Sequence, residues 1–142
     1  DHSEARAWVD MIGDVAFPIP MIRLAEAQSA HAPVWMYRFD WATPAFDGRL
    51  GAAHALELPF VWSKLDLSIS QLLLGGDVAG AQALGAQMHD AWAAFIRGGE
   101  PRAAGLPTWP TYDDRRRATM LLDRESRVVD DPDGELRRLW RF

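Results

Sequence analysis

Val34-Trp35-Met36-Tyr37-Arg38-Phe39-Asp40-Trp41 is the stretch on which the fold turns. Nearly every side chain in it is large, and β-branched and aromatic types are well represented, which suits a strand. The run is continuous rather than alternating, so it predicts a strand covered on both faces, as in a parallel sheet. Arg38 and Asp40 are the exceptions. Two residues apart, they point to the same face. Pro33 stands in front of the run and ends a helix expected from near Pro20 to His31, with Ile22, Ala25 and Ser29 on one side and Arg23 and Glu26 facing outward. A helix feeding a fully buried strand is an α/β signature.

Working outward toward the N-terminus, Ser3 followed by Glu4 reads as a cap and a first-turn acid. Ala5, Trp8, Met11 and Ile12 then recur at helical spacing. Gly13-Asp14 is expected to interrupt this helix. Phe17-Pro18-Ile19-Pro20 reads as a tight connector, because each proline disfavours helix in the residue before it.

Toward the C-terminus, residues 43–51 read as loop. Residues 65–74 suggest a short helix capped by Asp66 or Ser68. Asp77 is expected to cap the strongest helix of the chain, with Ala81, Leu84, Met88, Ala91, Trp92 and Phe95 in one apolar stripe. Gly98-Gly99 stops it and Pro101 prevents its return. Residues 102–112 are loop, with Trp109-Pro110 as a packing point. Residues 119–123 and 127–130 read as a hairpin. A short helix over 135–142 closes the chain, with Leu136, Leu139 and Trp140 apolar.

The totals fit one domain over residues 1–142, without separate domains. Hydrophobic residues make up 49% and charged residues 25%, as in a folded protein with a core. Seven tryptophans in this length point to a thick core or a lined pocket. The net charge of −5 argues against a nucleic-acid partner, which requires a basic face. Arg115-Arg116-Arg117 follows Asp113-Asp114, so this cluster reads as a solvated turn. There is no cysteine, hence no disulfide framework and no thiolate chemistry, but the compartment stays open, cytoplasmic or secreted. No apolar run reaches the length of a membrane span. The first residue is Asp1 rather than Met, so a processed, trimmed or excised piece is expected.

The chemistry centres on Gly51-Ala52-Ala53-His54-Ala55-Leu56-Glu57-Leu58-Pro59-Phe60-Val61-Trp62. Here a histidine sits among small residues just beyond the predicted strand, where open α/β sheets place their ligands and reacting groups. Imidazole takes and returns protons near neutral pH. His2, His31 and His89 read as structural. No histidine pair stands four apart, so no metal site is expected. No serine lies in a G-x-S-x-G turn. Asp130-Asp131 reads as a solvated turn. Leu56, Phe60 and Trp62 line a pocket or pack the core.

These segments, in this order, resemble the C-terminal portion of type B carboxylesterases, the family of cholinesterases and bacterial para-nitrobenzyl esterases. The resemblance rests on Gly13-Asp14 with Phe17 and Pro20, Tyr37-Arg38-Phe39-Asp40, the His54 stretch, the helix over 88–99 followed by Glu100-Pro101, and Trp109-Pro110 with Tyr112. It implies the C-terminal part of an α/β-hydrolase fold, with His54 as the histidine of a Ser–His–acid triad. Glu57 would be a buried polar neighbour of that site and not the triad acid. Nucleophile, acid and oxyanion loop would lie upstream. The resemblance further implies a small-molecule ester substrate and no cofactor or metal. Two other readings stand beside it: a non-catalytic adhesion relative, and a free-standing module, against which the buried-strand reading expects the isolated chain to associate with itself or with the missing N-terminal portion.

Overall fold

A computed structural model describes residues 2–140. In chain order the elements are α1 (His2–Ala16), α2 (Pro18–Ser29), β1 (Met36–Phe39), a 3-10 turn (Ala45–Gly48), α3 (Leu58–Val61), α4 (Ser68–Leu74), α5 (Val78–Gly98), β2 (Ala118–Leu122), β3 (Arg127–Asp130) and α6 (Gly134–Leu139). The three strands form one sheet in the order β1-β2-β3. The chain clusters into two compact units.

The first unit holds residues 1–36, 111–119 and 130–142. The expected break at Gly13-Asp14 does not occur: α1 runs through it to Ala16. One glycine costs a helix only about 1 kcal/mol, too little to stop a run whose hydrogen bonds continue, as Phe17 N–H to Gly13 O at 3.0 Å shows. The second helix begins earlier than expected, at Pro18. Both Pro18 and Pro20 fit its first turn, where an N–H would have no helical partner anyway. Ile22 and Ala25 are buried as predicted. Glu26 does not simply face outward, because its Oε1 accepts from Arg117 Nη2 at 2.8 Å. The charged turns are exposed at Arg115, Arg116 and Asp130, as expected, with Asp130 and Arg116 paired at 2.7 Å in solvent, while Asp131 is half-buried and pairs with Arg137 at 2.8 Å. In α6, Leu139 is 80% exposed, against the apolar role expected of it.

The second unit, residues 37–110 and 120–129, carries the sequence on which the fold was read. The strand is shorter than 34–41, and its side chains are half-buried or exposed rather than covered on both faces. The fully buried strand is β2, all five residues of which are out of solvent. It is the middle strand, shielded on both edges by neighbours, whereas β1 is an edge. Regular pairing of β1 ends where Asp40 N–H and Trp41 N–H both reach Leu122 O, at 2.9 and 3.2 Å. Arg38 and Asp40 share a face, as expected, and form a two-pronged ion pair at 2.7 and 2.9 Å.

The core of this unit gathers Trp41, Phe60, Leu74, Leu84, Met88, Met120 and Leu122, each less than 2% or at most 2% exposed. The rings of Trp41 and Phe60 lie 5.1 Å apart and those of Phe39 and Phe60 5.2 Å apart. In α5 the residues Ala81, Leu84, Met88 and Ala91 are buried as the stripe predicted, and Gly99 at φ 80° ends the helix. Phe95 lies 47% exposed. Neither predicted cap bonds its helix: α4 starts after Leu67, and Asp77 makes no side-chain cap hydrogen bond. Asp77 is instead engaged by Arg124, whose guanidinium also stacks 5.2 Å from the centre of the Trp41 ring.

Candidate active site

His54 sits on a turn that opens the segment leading into α3. The turn is built by short-range hydrogen bonds, Leu56 N–H to Ala53 O at 3.1 Å and Leu58 N–H to Ala55 O at 3.3 Å. Ala55 adopts φ 65°, the left-handed region that residues with a Cβ occupy uncommonly. The next residue, Leu56, is 5% exposed and anchors the turn in the core. His54 itself is exposed. The imidazole is thus presented outward on a turn whose underside is fixed.

Glu57 follows at the N-terminal flank of α3 and is half-buried. Proline at the start of α3 fits the first turn. Phe60 and Val61, 1% and 8% exposed, seat the helix, and Trp62 at 66% exposure projects from its end. Of the three apolar residues behind the histidine, Leu56 and Phe60 are core and Trp62 faces out. Glu57 also acts on β1: burial first, and then the negative charge of Glu57, push the Tyr37 phenol above its ordinary pKa. The Tyr37 ring meets Trp92 edge-on at 4.9 Å. Trp92 in turn lies 6.0 Å from Trp109, which is 8% exposed and confirms the packing point at Trp109-Pro110.

A closed loop precedes the histidine. Thr43 N–H bonds Gly51 O at 3.2 Å, and Thr43, 1% exposed, also donates its hydroxyl to Leu73 O. Among the serines, Ser70 is buried, and Ser126 is tied into the β2–β3 turn by bonds of 3.1 and 3.3 Å to Asp123. Among the described residues no group of three or more His, Cys, Asp or Glu is placed to hold a metal ion. No described helix is long and apolar enough to cross a membrane.

Two further residues carry no site signal in the sequence: Tyr37 reads as part of the strand and His89 as structural. The imidazole Nδ1 of His89 lies 2.9 Å from Val61 O, across 28 residues of sequence. No local spacing signals a contact of that separation.

The strand, histidine turn and long flanking helix recur in solved esterases of the α/β-hydrolase fold at 35–39% identity. A model of the carboxylesterase family matches residues 1–140. The chain is 36% identical over 132 residues to the para-nitrobenzyl esterase of Bacillus subtilis (strain 168), covering 92% of this chain and 26% of that protein. Its fold matches a thermophilic PNB esterase with a TM-score of 0.83 at 35% identity, over 94% of this chain and 27% of that one. It also matches the carboxylesterase EST55 of Geobacillus stearothermophilus with a TM-score of 0.81 at 39% identity, over 94% and 27% of the two chains. The chain therefore belongs to the carboxylesterase family, and it spans about a quarter of the length of the curated relative it matches.

Proposed function

We propose that this chain is the C-terminal part of a serine carboxylesterase that hydrolyses carboxylic esters of small alcohols through an acyl-enzyme. His54 is its triad histidine. As general base it takes the proton of the serine hydroxyl, and as general acid it returns that proton to the departing alcohol. Glu57 is a polar neighbour that acts on the site through its charge. The serine nucleophile and the triad acid lie in a portion of the fold outside these residues.

The observation that carries this reading is the exposed imidazole of His54 on a core-anchored turn, in a chain of the carboxylesterase family. General base catalysis supplies only about 10²–10⁴-fold even when correctly placed. The 142-residue chain alone is therefore expected to show no significant hydrolysis of para-nitrophenyl acetate. Hydrolysis at the rate of the family's enzymes, abolished by His54→Gln, overturns that expectation. The complete gene product is expected to take one serine-directed organophosphonate label. An unlabelled complete protein refutes the esterase reading.

A further inference from the structure

We propose that His89 is a positioning residue, which holds the far end of the His54 segment against α5. The proposal rests on the triad reading of His54. Val61 ends α3, so its carbonyl is one of the helix-end acceptors that lack an intrahelical donor. His89 Nδ1 fills that place at 2.9 Å. A carbonyl oxygen only accepts, so Nδ1 carries the hydrogen and Nε2 is the free lone pair.

One turn before His89, a Cβ at Gly85 would meet Leu65 Cδ1 at 2.8 Å and Phe60 Cα only at 3.8 Å, an ordinary contact, so the directional link between α3 and α5 is the His89 bond. Between His54 and Val61 short-range backbone bonds run from Leu56 to Ala53, from Leu58 to Ala55 and from Phe60 and Val61 to Glu57, and they couple the histidine turn to α3. A tilt at the Val61 end is carried through these bonds to the histidine turn, where it displaces His54 by an amount on the order of 1 Å. A misplacement of that size costs a reaction about 10²-fold. A carboxylate, hydroxyl or alkyl side chain at position 89 supplies no N–H to Val61 O, whereas asparagine presents its amide nitrogen where histidine presents Nδ1.

The test has two arms. In the complete esterase, the ring ¹⁵N shifts of neutral His89 are read by long-range ¹H–¹⁵N NMR. The Nδ1–H tautomer is expected, because the hydrogen bond selects the tautomer. An Nε2–H tautomer overturns the bond and the proposal with it. In the complete esterase, His89→Phe is expected to lower kcat about 10- to 100-fold with KM changed less than about twofold, and His89→Asn to restore most of kcat. Unchanged kcat in His89→Phe, or equal loss in both variants, overturns the positioning role. His54→Gln separates this result from the underlying reading. If it keeps full activity, the triad assignment fails; if it is inactive while His89→Phe is fully active, only the role of His89 fails.

Discussion

Gly75 and Gly76 are neighbours in sequence and both left-handed, yet substituting them should have very different costs. Gly75 has φ 55° and Gly76 φ 93°. An alanine at Gly76 meets nothing within 4 Å. Its cost is the backbone penalty alone, about 1–2 kcal/mol, less the roughly 0.4–1 kcal/mol gained by stiffening the unfolded chain. An alanine at Gly75 would put its Cβ 2.4 Å from Ala45 N and 2.9 Å from Ala45 Cα. Ordinary contact begins at 3.4 Å, so one of the two backbones must move by about 1 Å (3.4 − 2.4). Neither has a flexible end that can swing aside. Overpacking of this kind adds about 1–3 kcal/mol, for a total of about 2–5 kcal/mol before the same unfolded-state gain. The displaced atoms belong to Ala45, whose N–H is bonded to Thr43 Oγ1 at 3.0 Å. Thr43 in turn closes the loop onto Gly51, three residues before His54. Urea unfolding of both variants, followed by circular dichroism at one protein concentration, measures the difference. Gly75→Ala is expected to be the less stable by at least about 1 kcal/mol at unchanged m-value. Equal stability of the two alanine variants refutes the reasoning, because only the approach of Ala45 distinguishes the sites.

Other outcomes follow from the first unit and from the open surface. Burial, and then the charge of Glu26, push the Tyr112 phenol up to about 12. The folded state then keeps a proton that the unfolded chain releases near pH 10, so stability falls as pH rises from about 10 to 12. Tyr112→Phe should remove that alkaline loss at no cost at pH 7, since the buried hydroxyl has no hydrogen-bond partner; a large loss at pH 7 contradicts this. Arg137 holds the Asp131 carboxyl below its ordinary range. Its stabilisation is therefore present above the unfolded pKa and fades as pH falls below about 4. Asp131→Asn, which tolerates the φ of 47° at that position, should cost about 1 kcal/mol at pH 7 and progressively less in acid, as read from thermal melts across that pH range. Finally, Trp8, Trp62 and Ile96 are 62%, 66% and 78% exposed, so the isolated chain should associate with itself or with the rest of its fold. A sharply melting monomer by sizing and calorimetry would count against that.

Sequence by itself determined the elements whose signals are local. The stripe from Ala81 to Ala91, the stop at Gly99, the hairpin of β2 and β3 and the shared face of Arg38 and Asp40 follow from periodicity and turn chemistry, and the structure has them all. The ordered motifs around His54 also carried the family, because the side chains that a fold reuses stay legible as a pattern. Tertiary structure decided what depends on neighbours far along the chain. The run at 34–41 looks buried on both faces, but in this chain burial falls to β2, because what covers a strand's faces comes from elements far along the chain and not from the strand's own composition. Gly13-Asp14 reads as a break, yet α1 passes through it because one glycine is too weak a breaker. Asp77 looks like a helix cap and is instead engaged by Arg124, a partner that no window around Asp77 contains. His89 is the plainest case. Its spacing on α5 marks it only as polar, and the bond that gives it meaning is made with a carbonyl 28 residues away.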